Sequence, residues 1–184
     1  MLLWRGMVRL GFSCFAFIAV VVASSTAAAQ YKNSQFGFEA GYLAYGNSNN
    51  DEVAAVESHG PLVGVRTGWK LSDHFWLTNR AAFAWRDQIE RVDRTIFILH
   101  LVPVAVRYYF LTDRFRPFLG ATQSFQFFMN GDAGTTFWGP GASAGFEVRL
   151  RRDVFLGVQA DVFHMWGDGE FPVGAISLQL DLFL

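Results

Sequence analysis

The stretch Ile176-Ser177-Leu178-Gln179-Leu180-Asp181-Leu182-Phe183-Leu184 decides the fold. Ile176, Leu178, Leu180, Leu182 and Leu184 share one parity, and Ser177, Gln179, Asp181 and Phe183 share the other. A period of two is the side-chain period of a β-strand, and no helix places residues this way. The pattern recurs upstream. Ala142, Ala144, Phe146, Val148 and Leu150 alternate with Gly141, Ser143, Gly145, Glu147 and Arg149. Val154, Leu156, Val158, Ala160 and Val162 alternate with Gly157, Gln159 and Asp161. A fourth segment sets Ile98, Val102, Val104, Val106 and Tyr108 against Pro103, Ala105 and Arg107. Weaker alternation over 36–45, 62–71, 75–85 and 117–128 brings the expected number of strands to eight.

The connections alternate in length. Ser72-Asp73-His74, Thr112 to Arg116 and Arg151-Arg152-Asp153 are short and rich in turn formers. The others, roughly 46–61, 86–95, 129–136 and 167–172, are longer and rich in Gly, Asn and Asp. Alternating short and long connections imply an up-and-down antiparallel meander. Strands of about 10 residues match a tilted strand that crosses a bilayer.

The composition is 52% apolar and 17% aromatic, with 15 Lys+Arg against 16 Asp+Glu. Disorder requires low hydrophobicity and high net charge, and neither is present. A nucleic-acid partner would call for a basic surplus, which is absent. The single Cys14 excludes a disulfide scaffold. Residues 1–29 read as a cleavable signal peptide: Arg5 and Arg9, an apolar run from Leu10 to Ala23, then small residues ending Ala27-Ala28-Ala29. That run is 14 residues, shorter than the roughly 20 that span a bilayer as a helix. Residues 30–184 then form one barrel domain with thirteen basic and sixteen acidic side chains.

Parity says which face is which. One face carries Gly37, Gly41, Gly64, Gly68, Gly120, Gly141, Gly145 and Gly157. It also carries Glu39, Arg66, Lys70, Arg80, Arg107, Glu147, Arg149, Asp161 and Asp181. Glycine weakens a solvated strand surface but makes room inside a narrow barrel. The opposite face is long, branched and aromatic, an oversized patch in water and the required surface in lipid. Aromatic residues gather near both strand ends. Trp69, Phe75, Trp76, Tyr108, Tyr109, Phe110 and Phe155 lie by the turns. Tyr42, Tyr45, Phe83, Trp85, Phe97, Phe137, Trp138, Phe163 and Trp166 lie by the loops. Two such bands suit the two interfaces of a bilayer. The expected fold is all-β: an eight-stranded antiparallel up-and-down transmembrane β-barrel preceded by a cleavable signal peptide.

Three stretches strengthen this: Leu101 to Phe110, Arg116-Pro117-Phe118-Leu119-Gly120-Ala121, and the C-terminal strand. With them the chain resembles the small eight-stranded outer-membrane barrels of Gram-negative bacteria, of the OmpA-domain, OmpX and opacity-protein type, over essentially all of 31–184. The resemblance implies outer-membrane localisation and recognition of the last strand by the barrel-assembly machinery. It also implies a lipid-facing terminal aromatic; here Leu184 is last and Phe183 has inward parity.

The nine inward charges are expected to pair with one another as a lumen ion-pair network, because unpaired buried charge is costly and an eight-stranded interior is just filled by side chains. The outward loops hold Asp51, Glu52, Glu57, Asp132, Asp168 and Glu170. Asp51, Glu52, Glu57, Asp168 and Glu170 are candidate contacts to lipopolysaccharide or another surface. His100 and His164 have lipid-face parity, and no Ser stands beside either as a lipid-A-hydrolysing pair would need. No enzyme, cofactor or metal site is expected. Gly139-Pro140-Gly141-Ala142-Ser143-Ala144 matches a dinucleotide fingerprint but leads into a strand instead of a helix. The expected function is a monomeric structural or surface-interaction barrel in contact with outer-membrane lipid and lipopolysaccharide. A narrow porin-like or lateral channel is the alternative, and a lipid-A-modifying enzyme a remote one.

Overall fold

The computed structural model describes residues 33–46, 59–88, 94–130, 133–167 and 169–184. The leader expected over 1–29 lies outside them. Eight strands follow in order: β1 (Ser34–Tyr45), β2 (His59–Lys70), β3 (Phe75–Gln88), β4 (Arg94–Tyr109), β5 (Phe115–Asn130), β6 (Ala133–Arg151), β7 (Val154–Trp166) and β8 (Glu170–Phe183). Each pairs antiparallel with its sequence neighbour, and β1 pairs with β8, so the sheet closes. Closure removes both edges and gives the strand backbones ladder partners on either side, which a bilayer demands.

Closure is tight because glycine stands where strands and charges crowd. Gly37 lies opposite Arg66 on β2 and Asp181 on β8. A Cβ at Gly37 would collide with the Asp181 carboxylate and stand 2.9 Å from the Leu180 carbonyl oxygen. The missing side chain is what allows Asp181 to reach Arg66.

Two features of the ladder correct the expectations. Pairing runs on to Gln88↔Arg94 and Asn130↔Ala133, so half of the connection expected over 86–95 and most of that over 129–136 are strand. The second is a bulge. Between Leu101 and Val104, β4 spends three steps where β5 spends two, and the same extra residue appears against β3. The bulge contains Pro103, which has no N–H to give to a ladder. Parity therefore flips along β4. Ala105, Arg107 and Tyr109 face inward on the turn side, whereas Ile98, His100 and Val102 face inward on the loop side. Ile98 and Val102 thus do not share the outward face of Val104 and Val106, and His100 does not face lipid.

The outer surface is apolar, with Phe38, Leu119, Leu150, Val162, Ile176 and Leu178 more than half exposed. The aromatic bands are thinner than parity and position suggested. Trp76, Tyr109, Phe155, Phe137 and Phe163 point inward and are buried. Phe75, Tyr108 and Phe110 remain on the outside near the turns, and Tyr42, Phe83, Trp85, Phe97 and Trp138 near the loops.

Candidate functional site: the barrel interior

The interior is stacked in three layers. At the turn end, Arg116 opens β5 and is buried. Its guanidinium lies 4.2 Å from the ring centroid of Tyr109, 4.9 Å from Phe155, 5.1 Å from Phe183 and 5.4 Å from Trp76. An arginine held among ring faces is stabilised by their quadrupoles, most strongly where water is excluded. The sequence places Arg116 in a turn; the structure places it one residue inside β5, in the lumen. Phe183 is the inward-parity aromatic of β8, and it packs 5.2 Å from Trp76 and 4.6 Å from Phe155.

The middle layer is ionic. Arg66 reaches Asp181 at 3.2 Å and Glu147 at 3.3 Å. Arg80 reaches Asp161 at 2.8 Å and Glu39 at 3.5 Å. Glu147 also meets Arg107 at 3.5 Å and Arg116 at 3.9 Å, and it accepts a hydrogen bond from the Tyr109 hydroxyl at 2.7 Å. The side-chain amide of Gln159 donates to Asp161 at 2.6 Å, and its carbonyl oxygen accepts from Arg107 and from Gln179. These eight charged side chains are buried, four arginines against four carboxylates, so the layer is formally neutral. Each charge has an opposite partner, the condition under which ions tolerate an interior.

Of the nine inward charges expected from the sequence, Glu39, Arg66, Arg80, Arg107, Glu147, Asp161 and Asp181 come together. Lys70 and Arg149 do not. Lys70 lies at the turn end and pairs with Asp73 at 2.6 Å. That hydrogen bond holds the Asp73 carboxyl below its ordinary value. Arg149 is exposed, with its guanidinium 5.2 Å over the Phe155 ring.

The third layer, at the loop end, is apolar. Leu43, Leu62, Ile98, Phe128, Phe137, Phe163, Met165, Phe171 and Val173 form one buried cluster, with Tyr45 against it. The sequence reading missed this layer, although parity held its signal. Phe163 and Met165 continue the inward series of Asp161, and Phe171, Val173 and Ala175 precede Ser177 and Gln179 on the same face.

Within the ionic layer, where it meets Val102 and Ala105, lies a cavity of about 10 Å³ that also touches Arg66, Arg80, Arg107 and Asp161. That is at the lower limit of room for one water. His100 lies with Nε2 2.8 Å from the Ser124 hydroxyl and its ring edge-on to Phe163. A Ser–His pair therefore exists, although sequence spacing gave none, because Ser124 arrives from the neighbouring strand. Both side chains are fully buried.

Among the loop candidates, Glu170 is exposed and stands 3.8 Å from His164, which is on the outer face as parity predicts. Asp51, Glu52, Glu57 and Asp168 lie outside the described residues. Among the described residues, no three His, Cys, Asp or Glu side chains are gathered as metal ligands.

Residues 15–180 match the family model described as "Outer membrane protein beta-barrel domain". No curated protein matches the chain. Among solved structures, Neisserial surface protein A is similar with a TM-score of 0.63 at 15% identity, covering 82% of this chain and 97% of that one. OprG of Pseudomonas aeruginosa is similar with a TM-score of 0.53 at 12% identity, covering 83% and 97%. Ail, the attachment invasion locus protein of Yersinia pestis, solved with the heparin analogue sucrose octasulfate, has a TM-score of 0.51 at 12% identity, covering 82% and 98%. At these identities the likeness is one of fold.

Proposed function

Because this chain belongs to the outer membrane protein β-barrel domain family, we propose that it is an outer-membrane barrel with a closed interior and a structural or surface-interaction role. The interior carries this reading. An aromatic cage, a neutral ion-pair layer and an apolar plug lie one above another across the bore. A pore would need a continuous wet path. Among the described residues, the cavity lined by the ionic layer is about 10 Å³. The Ser124–His100 pair supports no enzymatic reading, since both side chains are fully buried.

In this reading residues 1–29 are removed on export, and 30–184 insert as a monomer. The barrel-assembly machinery engages β8 through its outward side chains, Leu180, Leu182 and Leu184. The loop side faces lipopolysaccharide and the exterior, where Asp51, Glu52, Glu57, Asp168 and Glu170 are the candidate contacts. Ail, a barrel of similar fold, was solved in complex with the heparin analogue sucrose octasulfate. The acidic loops of this chain instead suit cationic partners or divalent-cation bridges to lipid phosphates. Liposome swelling tests the closed interior. Vesicles carrying the folded protein should swell in small sugars no faster than empty ones; rapid swelling would favour the channel reading. Protease access to the loops on intact cells tests the surface role, and protected loops would count against it.

A further inference from the structure

We propose that Arg114, Arg151 and Arg152 form a seat on the turn-end rim for the phosphate headgroups of anionic phospholipids. The observations start with placement. Arg114 closes the β4–β5 turn, and its carbonyl accepts a hydrogen bond from the Arg149 backbone at 2.8 Å. Two neighbouring turns are thereby drawn side by side. A second register shift, between Arg149 and Arg151, sets Arg151 opposite Val154 on the lipid-facing row, and Arg152 leads the following turn. All four arginines are exposed. Among the described residues, the ion pairs use none of them. The acids beside them, Asp113 and Asp153, are exposed and leave the rim with a positive surplus.

This distribution is lopsided. On the other side of the barrel, the β2–β3 turn neutralises itself through Lys70 and Asp73. Among the described residues at the turn end, the exposed arginines outside ion pairs lie on the β5–β7 side. They stand beside a lipid-facing surface, since Phe115, Leu119, Phe146 and Leu150 on the same strands are each 40% exposed or more. Cations at the edge of such a surface meet the headgroup level, where the guanidinium fork fits phosphate oxygens in pairs. A depression of about 360 Å³ lies next to them, lined by Arg152, Asp153, Phe183 and Leu184. Arg152 and Asp153 offset one another there, so the anion's charge is met by Arg114 and Arg151 on the lipid-facing side, and Leu184 supplies the apolar edge for an acyl-bearing backbone. Short turns lie on the periplasmic side of such barrels. The leaflet in question is therefore the phospholipid one, away from the acidic loops. The seat depends on the membrane-spanning reading for its orientation and not on the closed interior.

The test uses the full-length protein refolded into phosphatidylcholine vesicles doped with phosphatidylglycerol. Lipid retained after gentle extraction is read by native mass spectrometry. Each arginine near an anionic surface is worth about fivefold in partitioning at low salt. The retained lipid should therefore be enriched in phosphatidylglycerol by about tenfold or more over the bulk. The triple variant Arg114→Gln, Arg151→Gln, Arg152→Gln should bring the ratio close to bulk. Lys70→Gln, on the neutral turn, should leave it unchanged. Enrichment should fall as salt screens the rim. Inorganic phosphate, added as competitor at the ionic strength of a chloride control, should not displace the lipid. Equal enrichment in the wild type and the triple variant would overturn the proposal. So would displacement by inorganic phosphate, which would mark a free-anion site. Binding to peptidoglycan with no lipid preference would overturn it as well. A chain that folds into the vesicles without preference refutes the seat alone. One that never acquires a heat-modifiable gel band refutes the membrane reading, and the seat with it.

Discussion

Glu147→Gln tests the ionic layer most sharply. Glu147 is fully buried, faces three guanidiniums at 3.3, 3.5 and 3.9 Å and accepts the Tyr109 hydroxyl at 2.7 Å. Glutamine keeps the shape and one carbonyl acceptor, so the substitution removes charge and little else. The layer changes from four arginines against four carboxylates to four against three. Removing one partner of a buried ion pair costs about 3–5 kcal/mol, because the remaining charge is left uncompensated. Arg107 keeps Gln159 and Arg66 keeps Asp181, which places the expected loss near the lower bound, about 3 kcal/mol. A second substitution separates charge from packing. Arg116→Met in the Glu147→Gln background restores neutrality, and a thioether suits the ring cage that Arg116 leaves. The pair should recover at least about 1 kcal/mol relative to the sum of the single losses. The assay is reversible urea unfolding in lipid vesicles, followed by tryptophan fluorescence, with the folded fraction checked by unheated gel mobility. If Glu147→Gln lay within about 0.5 kcal/mol of wild type, near the ordinary effect of a surface substitution, the layer would be wet and the reasoning wrong.

Three further substitutions or titrations follow from individual contacts. Gly37→Ala should destabilise by about 2 kcal/mol, since its Cβ displaces Asp181 from Arg66, whereas Gly134→Ala, with its nearest neighbour at 3.7 Å, should be close to neutral. The same urea titration compares them, and equal effects would contradict the packing argument. Ser124→Ala removes the hydroxyl that His100 Nε2 meets at 2.8 Å, and should cost about 1–3 kcal/mol by orphaning a buried ring nitrogen. Carbon-detected NMR should find the Asp73 carboxyl titrating below its ordinary value, and moving back toward it in Lys70→Met. The sign is that of a depressed carboxyl: the turn's contribution is present above 3.8 and fades as pH falls through the lowered value. An unchanged titration in the variant would remove Lys70 as the cause.

The all-β architecture was legible because alternation over β6, β7 and β8 is strict and because glycine and charge share one parity there. Seven of the charges that meet in the lumen were found by counting parity alone. What escaped has identifiable physical causes. On β4 a single inserted residue reverses every side chain beyond it, which moved His100, Ile98 and Val102 inward. Proline did not single it out, because Pro61, Pro117, Pro140 and Pro172 stand in strands with no register shift at those positions. Arg116 was hidden because a strand boundary misplaced by two residues put it in a turn. Lys70 and Arg149 have inward parity, but the ends of a barrel wall open to solvent, so parity there does not imply burial. The apolar layer was masked by composition: Phe163, Met165 and Phe171 look lipid-facing until their parity is traced from Asp161 and Ser177.

The central claim is that the bore is closed by three stacked layers, and planar-bilayer recording of the folded, signal-free protein addresses it most directly. The closed interior predicts no steady unitary current above that of protein-free bilayers in simple salt. Large, stable, stepwise currents from the wild-type chain would contradict it.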